Sequence, residues 1–461
     1  MRLTLALVLL AFAAPGARAA SLDVTASYDM KAVSYKNLDF GQDTNNHSFL
    51  ENNARLGIAV KKIVLDSRGP DDTTLDLGLL LHAIGVAGST TAVATPFDRA
   101  ASYYASTDLT PFIENAYVRV NRLFGGPIVA TFGRQNFRLG SGLLLDDDGA
   151  GFTGATVRVE YPWAGLKSVF FLFQDKNPQA SAPNSLTLAG FSLDLPTEGT
   201  WQLNQLIEKD QSPQLVYGCS FAGAGPNGGD PAQTAGCAVS KATRSFTSAR
   251  YQISYGPMVF DGEAAIERGV ATPTGLNPAP THILYNGDAE VVKAKWKQSL
   301  YHVGEGIARV SLARGSGDNG NTPTRDEAFY PSHGHRYDGL ERSGFGDFYG
   351  ATPYDAFGGN YSSTTKSGLP PNASGIVVVG VGITTPSFRG FLIDLDGFLY
   401  QATRASGAGS TLGNELDAHL RYPIRDQFSL SCGMAYFKPG LISSPGQGIA
   451  RKYTFEASGH F

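Results

Sequence analysis

The chain has 461 residues, 42% of them hydrophobic and 17% charged, with a formal net charge of −4. That balance gives no overall electrostatic basis for binding nucleic acid. Fifty-five Gly, 27 Phe and 20 Tyr beside 4 Met are the composition of strands and turns rather than of a helical bundle.

Arg2 supplies a short positive region, Leu3 to Ala14 an apolar stretch, and Ala17-Arg18-Ala19 a small-residue cleavage site. This pattern predicts a signal peptide over residues 1–19, with a single domain over 20–461. An uncleaved anchor is the alternative, but the stretch is shorter than the ~20 apolar residues a spanning helix needs. No long apolar run follows. An exported chain of this kind is either soluble or a β-barrel, whose short alternating segments escape a helix-oriented hydropathy reading.

Strands are predicted by period-2 alternation. Ala155, Val157, Val159 and Tyr161 oppose Thr156, Arg158 and Glu160. Ala249, Tyr251, Ile253 and Tyr255 oppose Arg250, Gln252 and Ser254, and Phe260 to Ile266 oppose Asp261 to Glu267. Leu416 to Tyr422 oppose Glu415, Asp417, His419 and Arg421, and a tight turn at Ile424-Arg425-Asp426-Gln427 leads to Phe428 to Tyr436. In the last strand Tyr453, Phe455, Ala457, Gly459 and Phe461 oppose Lys452, Thr454, Glu456, Ser458 and His460.

Well over a dozen such strands without a linker, with Tyr and Phe at strand ends, favour a barrel in lipid over a soluble sandwich. The fold class is therefore an all-β, antiparallel transmembrane β-barrel. Short connections (66–72, 124–127, 161–165, 255–257, 297–299, 386–390, 424–427) alternate with long ones (37–47, 85–109, 138–151, 175–242, 268–281, 315–374, 403–411, 438–449). Taken alone they give 16 strands. A hairpin hidden in 175–242 or 315–374 gives 18, which is preferred because both exceed ordinary loop lengths and Leu186–Leu195 and Leu215–Phe221 are strand-like. Short turns belong on the periplasmic side and long loops outside. Both termini then lie in the periplasm of a Gram-negative-type cell. Outer-membrane lipid, lipopolysaccharide and, through the C-terminal strand, the barrel-assembly machinery are the expected partners.

Cys219 and Cys237 lie in a Gly/Pro-rich stretch and suit a loop-stapling disulfide. Cys432 reads as a lipid-facing residue. Arg119 and Arg158 are expected to point into the lumen, with Arg122 at a strand end. Arg134 shares its parity with Ile128, Ala130 and Phe132, so it faces inward only if a bulge intervenes. Arg138, Arg250 and Arg421 complete the candidate basic pore lining. Inward Arg rings select anions, and the guanidinium fork matches carboxylates. The plainer alternative is cross-strand pairing. Glu160, Asp261, Glu263, Glu267, Asp288, Glu290, Asp394, Asp396, Glu415 and Asp417 are also expected to face inward. The lumen is thus expected to be segregated, basic on one wall and acidic on the other. Asp146-Asp147-Asp148 is a loop that binds Ca²⁺, gates the arginines, or is simply a solvated acidic loop. His333 and His335 fit a polar loop better than a metal site. No motif implies a cofactor, and no nucleophile–base spacing is specific enough to point to an enzyme.

Three stretches resemble the alginate export family of outer-membrane barrels. They are Phe132-Gly133-Arg134-Gln135 with Leu139-Gly140-Ser141-Gly142, then Gly334-His335-Arg336-Tyr337-Asp338-Gly339 with Gly346-Asp347-Phe348-Tyr349, and Leu412-Gly413-Asn414-Glu415-Leu416-Asp417 with the hairpin to Pro439. The resemblance implies an 18-stranded barrel with an Arg-rich constriction passing an anionic polysaccharide, and periplasmic export components as partners. The competing expectation is a general or substrate-specific porin for small polar solutes. An adhesive barrel using its long loops is a further one.

Overall fold

Strand alternation sorts side chains into an apolar face and a polar face, and closing the sheet on itself gives each face one medium. The computed structural model describes residues 20–38, 40, 46–67, 72–88, 109–147, 149–176, 185–211, 214–215, 238–274, 282–300, 304–318, 324–333, 344–350, 357, 369–370, 373–405, 409–425, 427–443 and 448–461. Among them are eighteen wall strands, each antiparallel to the next. The first nine are β1 (Ser21–Lys36), β2 (His47–Asp66), β3 (Thr73–Gly88), β4 (Thr110–Asn121), β5 (Ile128–Gln135), β6 (Phe152–Tyr161), β7 (Leu166–Lys176), β8 (Ser185–Pro196) and β9 (Thr200–Asp210). The second nine are β10 (Ala238–Tyr255), β11 (Met258–Thr274), β12 (Asp288–Leu300), β13 (Gly304–Gly315), β14 (Ala373–Thr384), β15 (Leu392–Ala405), β16 (Thr411–Ile424), β17 (Phe428–Pro439) and β18 (Ala450–His460). No described helix is long and apolar enough to cross a membrane.

The barrel closes by pairing β1 with β18, from Ser27↔His460 to Lys36↔Arg451. Closure leaves no sheet edge, which is what lets a β-structure sit in hydrocarbon. Outward side chains such as Leu22, Val24, Val381, Ile383, Leu399, Leu416 and Phe455 stay exposed in the isolated chain, because lipid is their missing partner.

Two details of the expected topology change. The extra hairpin is β8–β9, whose return strand is Thr200–Asp210. Leu215–Phe221 is not that partner; only Gln214 and Leu215 are described there, pairing with the start of β10. The connection expected at 297–299 lies slightly later, since β12 continues to Leu300 and β13 resumes at Gly304. Residues 1–19, Cys219 and Cys237 lie outside the described residues.

The hydrophobic core is inside the barrel, near the long-loop end. Leu139, Leu143, Leu144 and Leu145 are buried with the inward faces of Phe152, Phe171 and Phe173. Phe345, Phe348 and Tyr349 are buried with Tyr35, Tyr400 and Phe437. Phe348 and Tyr349 stack on Phe437 at 5.6 and 4.9 Å, each with a 9° interplanar angle. Two long connections therefore fold into the lumen instead of standing above it.

Candidate lumen constriction

The first inward loop follows β5. Ser141 donates to Glu263 through its backbone N–H at 2.8 Å and its hydroxyl at 2.5 Å. Arg250 donates to the Gly140 carbonyl at 2.8 Å while holding Asp261 through two bonds of 2.8 and 2.6 Å. The second inward loop precedes β14. Glu415 accepts the backbone N–H groups of Asp347, Phe348 and Tyr349 at 2.6, 2.6 and 2.9 Å. Asp417 also accepts from Asp347 N–H at 3.1 Å, and Lys452 donates to the Asp347 carbonyl at 2.9 Å. His419 touches the Asp347 carboxylate. Gly346 makes this docking sterically feasible: its φ is +96°, and a Cβ there would meet the Tyr400 hydroxyl and lie 2.7 Å from Glu415 Oε1. The two loops also bond each other, Asp146 N–H to the His333 carbonyl at 2.6 Å and His333 N–H to the Leu144 carbonyl at 3.1 Å.

The loops consume acidic charge. Glu263, Glu267, Glu415 and Asp417 are all buried. Glu267 accepts from Tyr330 N–H at 3.0 Å and pairs with Arg244 at 3.0 Å. Arg244 also forks onto Glu208 at 2.8 and 3.1 Å. Wall acids expected to line the pore therefore hold the loops in place.

Beneath the second loop lies a cavity of about 370 Å³ whose lining has six Lys/Arg (Lys31, Lys293, Lys295, Arg309, Arg421, Lys452) and four Asp/Glu (Asp347, Asp394, Asp396, Glu456). Arg309 binds Asp394 at 3.1 Å and Asp396 at 3.0 Å, and Arg421 binds Asp394 at 2.6 Å. Lys293 sits 5.1 Å from the Phe345 ring. Lys295 makes no ion pair among the described residues.

The predicted residues distribute as follows. Arg119 and Arg158 take inward parity on β4 and β6, and neither has a carboxylate ion-pair partner among the described residues. Arg119 instead contacts Thr131 Oγ at 3.4 Å and the Tyr117 ring at 4.9 Å. Glu160 follows Arg158 on the same face, opposite Lys167. Arg138 lies on the first inward loop and pairs with Asp146 at 3.2 Å.

Several placements are corrected. Arg134 belongs to the outer wall: no bulge resets β5, whose Thr131 and Gln135 are buried inside while Phe132 is exposed outside. Its guanidinium binds the Ile113 carbonyl and Thr153 Oγ at 3.2 and 3.0 Å. Asp417 is buried beneath a loop rather than bared to the pore. Asp288 and Glu290 face outward with Arg314, at 2.5 and 3.0 Å. They share the parity of Trp296, and it is Lys293, Lys295 and Lys297 that turn inward. The lumen is interleaved by ion pairs, not segregated by wall. Asp146 and Asp147 fold into the barrel, where Asp147 accepts the N–H groups of Phe137 and Gly151 at 3.0 Å each. Asp148 and His335 lie outside the described residues.

Lys293 and Lys295 were legible as a K-x-K alternation around Trp296, had Trp296 been assigned to lipid. Arg309 and Lys31 had no comparable signal.

No family model matches the chain. No curated protein matches it either. Solved structures do. OccAB1 of Acinetobacter baumannii matches with a TM-score of 0.56 at 9% identity, over 95% of this chain and 96% of that one. OccK9 (OpdG) of Pseudomonas aeruginosa matches at 0.54 and 10%, over 95% and 98%. OpdK of the same organism, determined with vanillate, matches at 0.51 and 12%, over 95% and 98%. The fold is that of an 18-stranded outer-membrane β-barrel. These neighbours are Occ/OprD-type porins, transport channels rather than enzymes, and the alginate export family is not singled out among them.

Proposed function

We propose that the chain is a substrate-selective diffusion channel of the outer membrane for small anionic solutes, with both termini periplasmic and residues 1–19 removed on export. The cavity under the second inward loop carries this reading. Its about 370 Å³ and its excess of Lys/Arg over Asp/Glu suit one small molecule. Carboxylates recruited to hold the loops leave Arg119, Arg158 and Lys295 facing the lumen without a carboxylate ion-pair partner among the described residues. A low-dielectric wall focuses that positive potential on passing anions. A carboxylate solute meets guanidinium forks it can bind bidentately. The likeness to OpdK, solved with vanillate, points the same way but supports only the fold.

The test is the reversal potential in a planar bilayer under a salt gradient. Wild type is expected to be anion-selective, and R119A/R158A/K295A to lose most of that selectivity. Cation selectivity in the wild type would overturn the proposal.

A second reading, export of an anionic polysaccharide, is favoured by the resemblance at Gly346-Asp347-Phe348-Tyr349. On that reading uronate oligomers cross reconstituted liposomes at least as fast as small carboxylates. On ours only the small carboxylates cross.

A further inference from the structure

The outer wall carries unmet positive charge where the barrel closes. Lys36 on β1 stands directly opposite Arg451 on β18. Arg451 stands opposite Tyr436 on β17, and Lys438 lies two residues beyond Tyr436 on the same face. All three cations are exposed. Their parity is that of the lipid-facing Leu22, Val24, Tyr28, Met434, Tyr453 and Phe455. The Arg451 guanidinium sits 5.9 Å from the Tyr436 ring. None of the three makes an ion pair with a carboxylate among the described residues.

Some other outward cations at this end of the barrel are internally satisfied, although Lys209 and Lys241 are exposed there without a carboxylate ion-pair partner among the described residues. Arg314 has Asp288 and Glu290. Arg268 donates to the carbonyls of Glu267 and Gly287 at 2.6 and 3.2 Å. Like charges placed directly opposite on a sheet repel and destabilise it. The Lys36–Arg451 pair does this on the strand pair that seals the barrel, so an external anion there relieves a repulsion that the chain itself does not.

The surroundings say what kind of anion. Below the trio is the apolar band, and Tyr436 and Tyr453 stand between, edge to face at 6.4 Å. Tyrosines in this position mark the level of lipid headgroups. An anion held there is attached to a lipid. Arg and Lys together fit phosphate oxygens, Arg by its fork and Lys as a point charge.

We propose that Lys36, Lys438 and Arg451 form a binding site for the phosphorylated glucosamine headgroup of lipopolysaccharide, clamped across the closing seam. The choice of lipopolysaccharide over phospholipid rests on the orientation given above, which puts the long-loop end in the outer leaflet. The site itself does not depend on channel selectivity.

The experiment uses the full-length barrel in detergent micelles and measures retained lipid by native mass spectrometry. The ligands are bis-phosphorylated lipid A, dephosphorylated lipid A, phosphatidylglycerol and inorganic phosphate. Wild type is expected to bind bis-phosphorylated lipid A about tenfold or more tightly than K36Q/K438Q/R451Q. The dephosphorylated lipid is expected to bind both proteins equally weakly. K36R/K438R should bind like wild type, and R451Q alone serves if the triple variant fails to fold. Equal affinity of wild type and R451Q for lipid A would overturn the site. Equal affinity of wild type for phosphatidylglycerol and lipid A, or retention of inorganic phosphate alone, would overturn the assignment to lipopolysaccharide. The reversal potential of these variants should match wild type, so this result and the channel result fail separately.

Discussion

Asp147 shows how one residue couples the constriction to pH. It is buried in the first inward loop and accepts two backbone N–H bonds. Burial, with Asp146 and then Glu114 adding like charge, raises its pKa from 3.8 to about 7 despite those bonds. Arg138, paired with Asp146, and Arg55 and His82, paired with Glu114 at 3.1 and 2.8 Å, are the other charged or titratable groups of the cluster. The sign follows from linkage. Below pH 3.8 the group is protonated whether the loop is docked or released. Between 3.8 and about 7 the docked state holds a proton that the released state has lost. Rising pH across that window therefore weakens docking, and above about 7 the penalty is complete. Lowering pH from 8 to 5 should lengthen the low-conductance state in single-channel records, while D147N, neutral throughout, should show a flattened response. An unchanged pH response in D147N would assign the effect to a neighbour instead.

The inward loops are also where sequence reading stopped. Alternation made the wall strands legible because period 2 reports directly on which face meets lipid: Tyr453 and Phe455 against Lys452 and Glu456 need no tertiary information. Parity also placed Arg119 and Arg158. It misplaced Asp288 and Glu290, because a charged pair was assumed to need a polar lumen when Arg314 satisfies both on the outer wall. The docking of 345–349 on Glu415 has no local signature, since the acceptor and its three donors are 66 to 68 residues apart. A lumen acid that accepts backbone amides looks, in sequence, the same as one that repels anions. The consequence can be measured. E415A removes the acceptor of three loop N–H groups and of the Tyr400 hydroxyl at 2.9 Å. Asp347 N–H keeps Asp417, and the Tyr400 hydroxyl keeps the Phe345 carbonyl. The Phe348 and Tyr349 N–H groups lose their Glu415 bonds, at about 1–3 kcal/mol for each that stays buried and unmet, which weakens the docking of the loop. E415A should enlarge single-channel conductance and admit solutes the wild type rejects. E415Q, which keeps one acceptor oxygen, should fall between. Wild-type conductance in E415A would mean the aromatic stack on Phe437 and the contacts of Asp347 with Asp417, His419 and Lys452 hold the loop without Glu415.

At the scale of the whole molecule, eighteen strands and one seam decide what the last residue does. An even strand number returns the C-terminus to the end of the barrel where β1 begins, and β18 then pairs with β1. Phe461 completes that seam with its backbone, exchanging N–H and carbonyl bonds with Ala26 at 2.8 and 3.1 Å. Its side chain packs little against the rest of the chain, being 81% exposed in isolation. A folded-state role for the ring would predict a stability loss on truncation, whereas a recognition role predicts slow assembly of a barrel that is normal once made. We propose the second, because the ring packs against little within the chain. F461A should therefore keep the thermal unfolding of the refolded barrel within about 0.5 kcal/mol of wild type, the range expected for a surface substitution. Heat-modifiability on gels would measure this. The same variant should insert markedly more slowly into proteoliposomes carrying the assembly machinery, and at the wild-type rate into bare liposomes. A slowdown in both would place the ring in the intrinsic folding path of the seam, and a loss of thermal stability would place it in the finished wall.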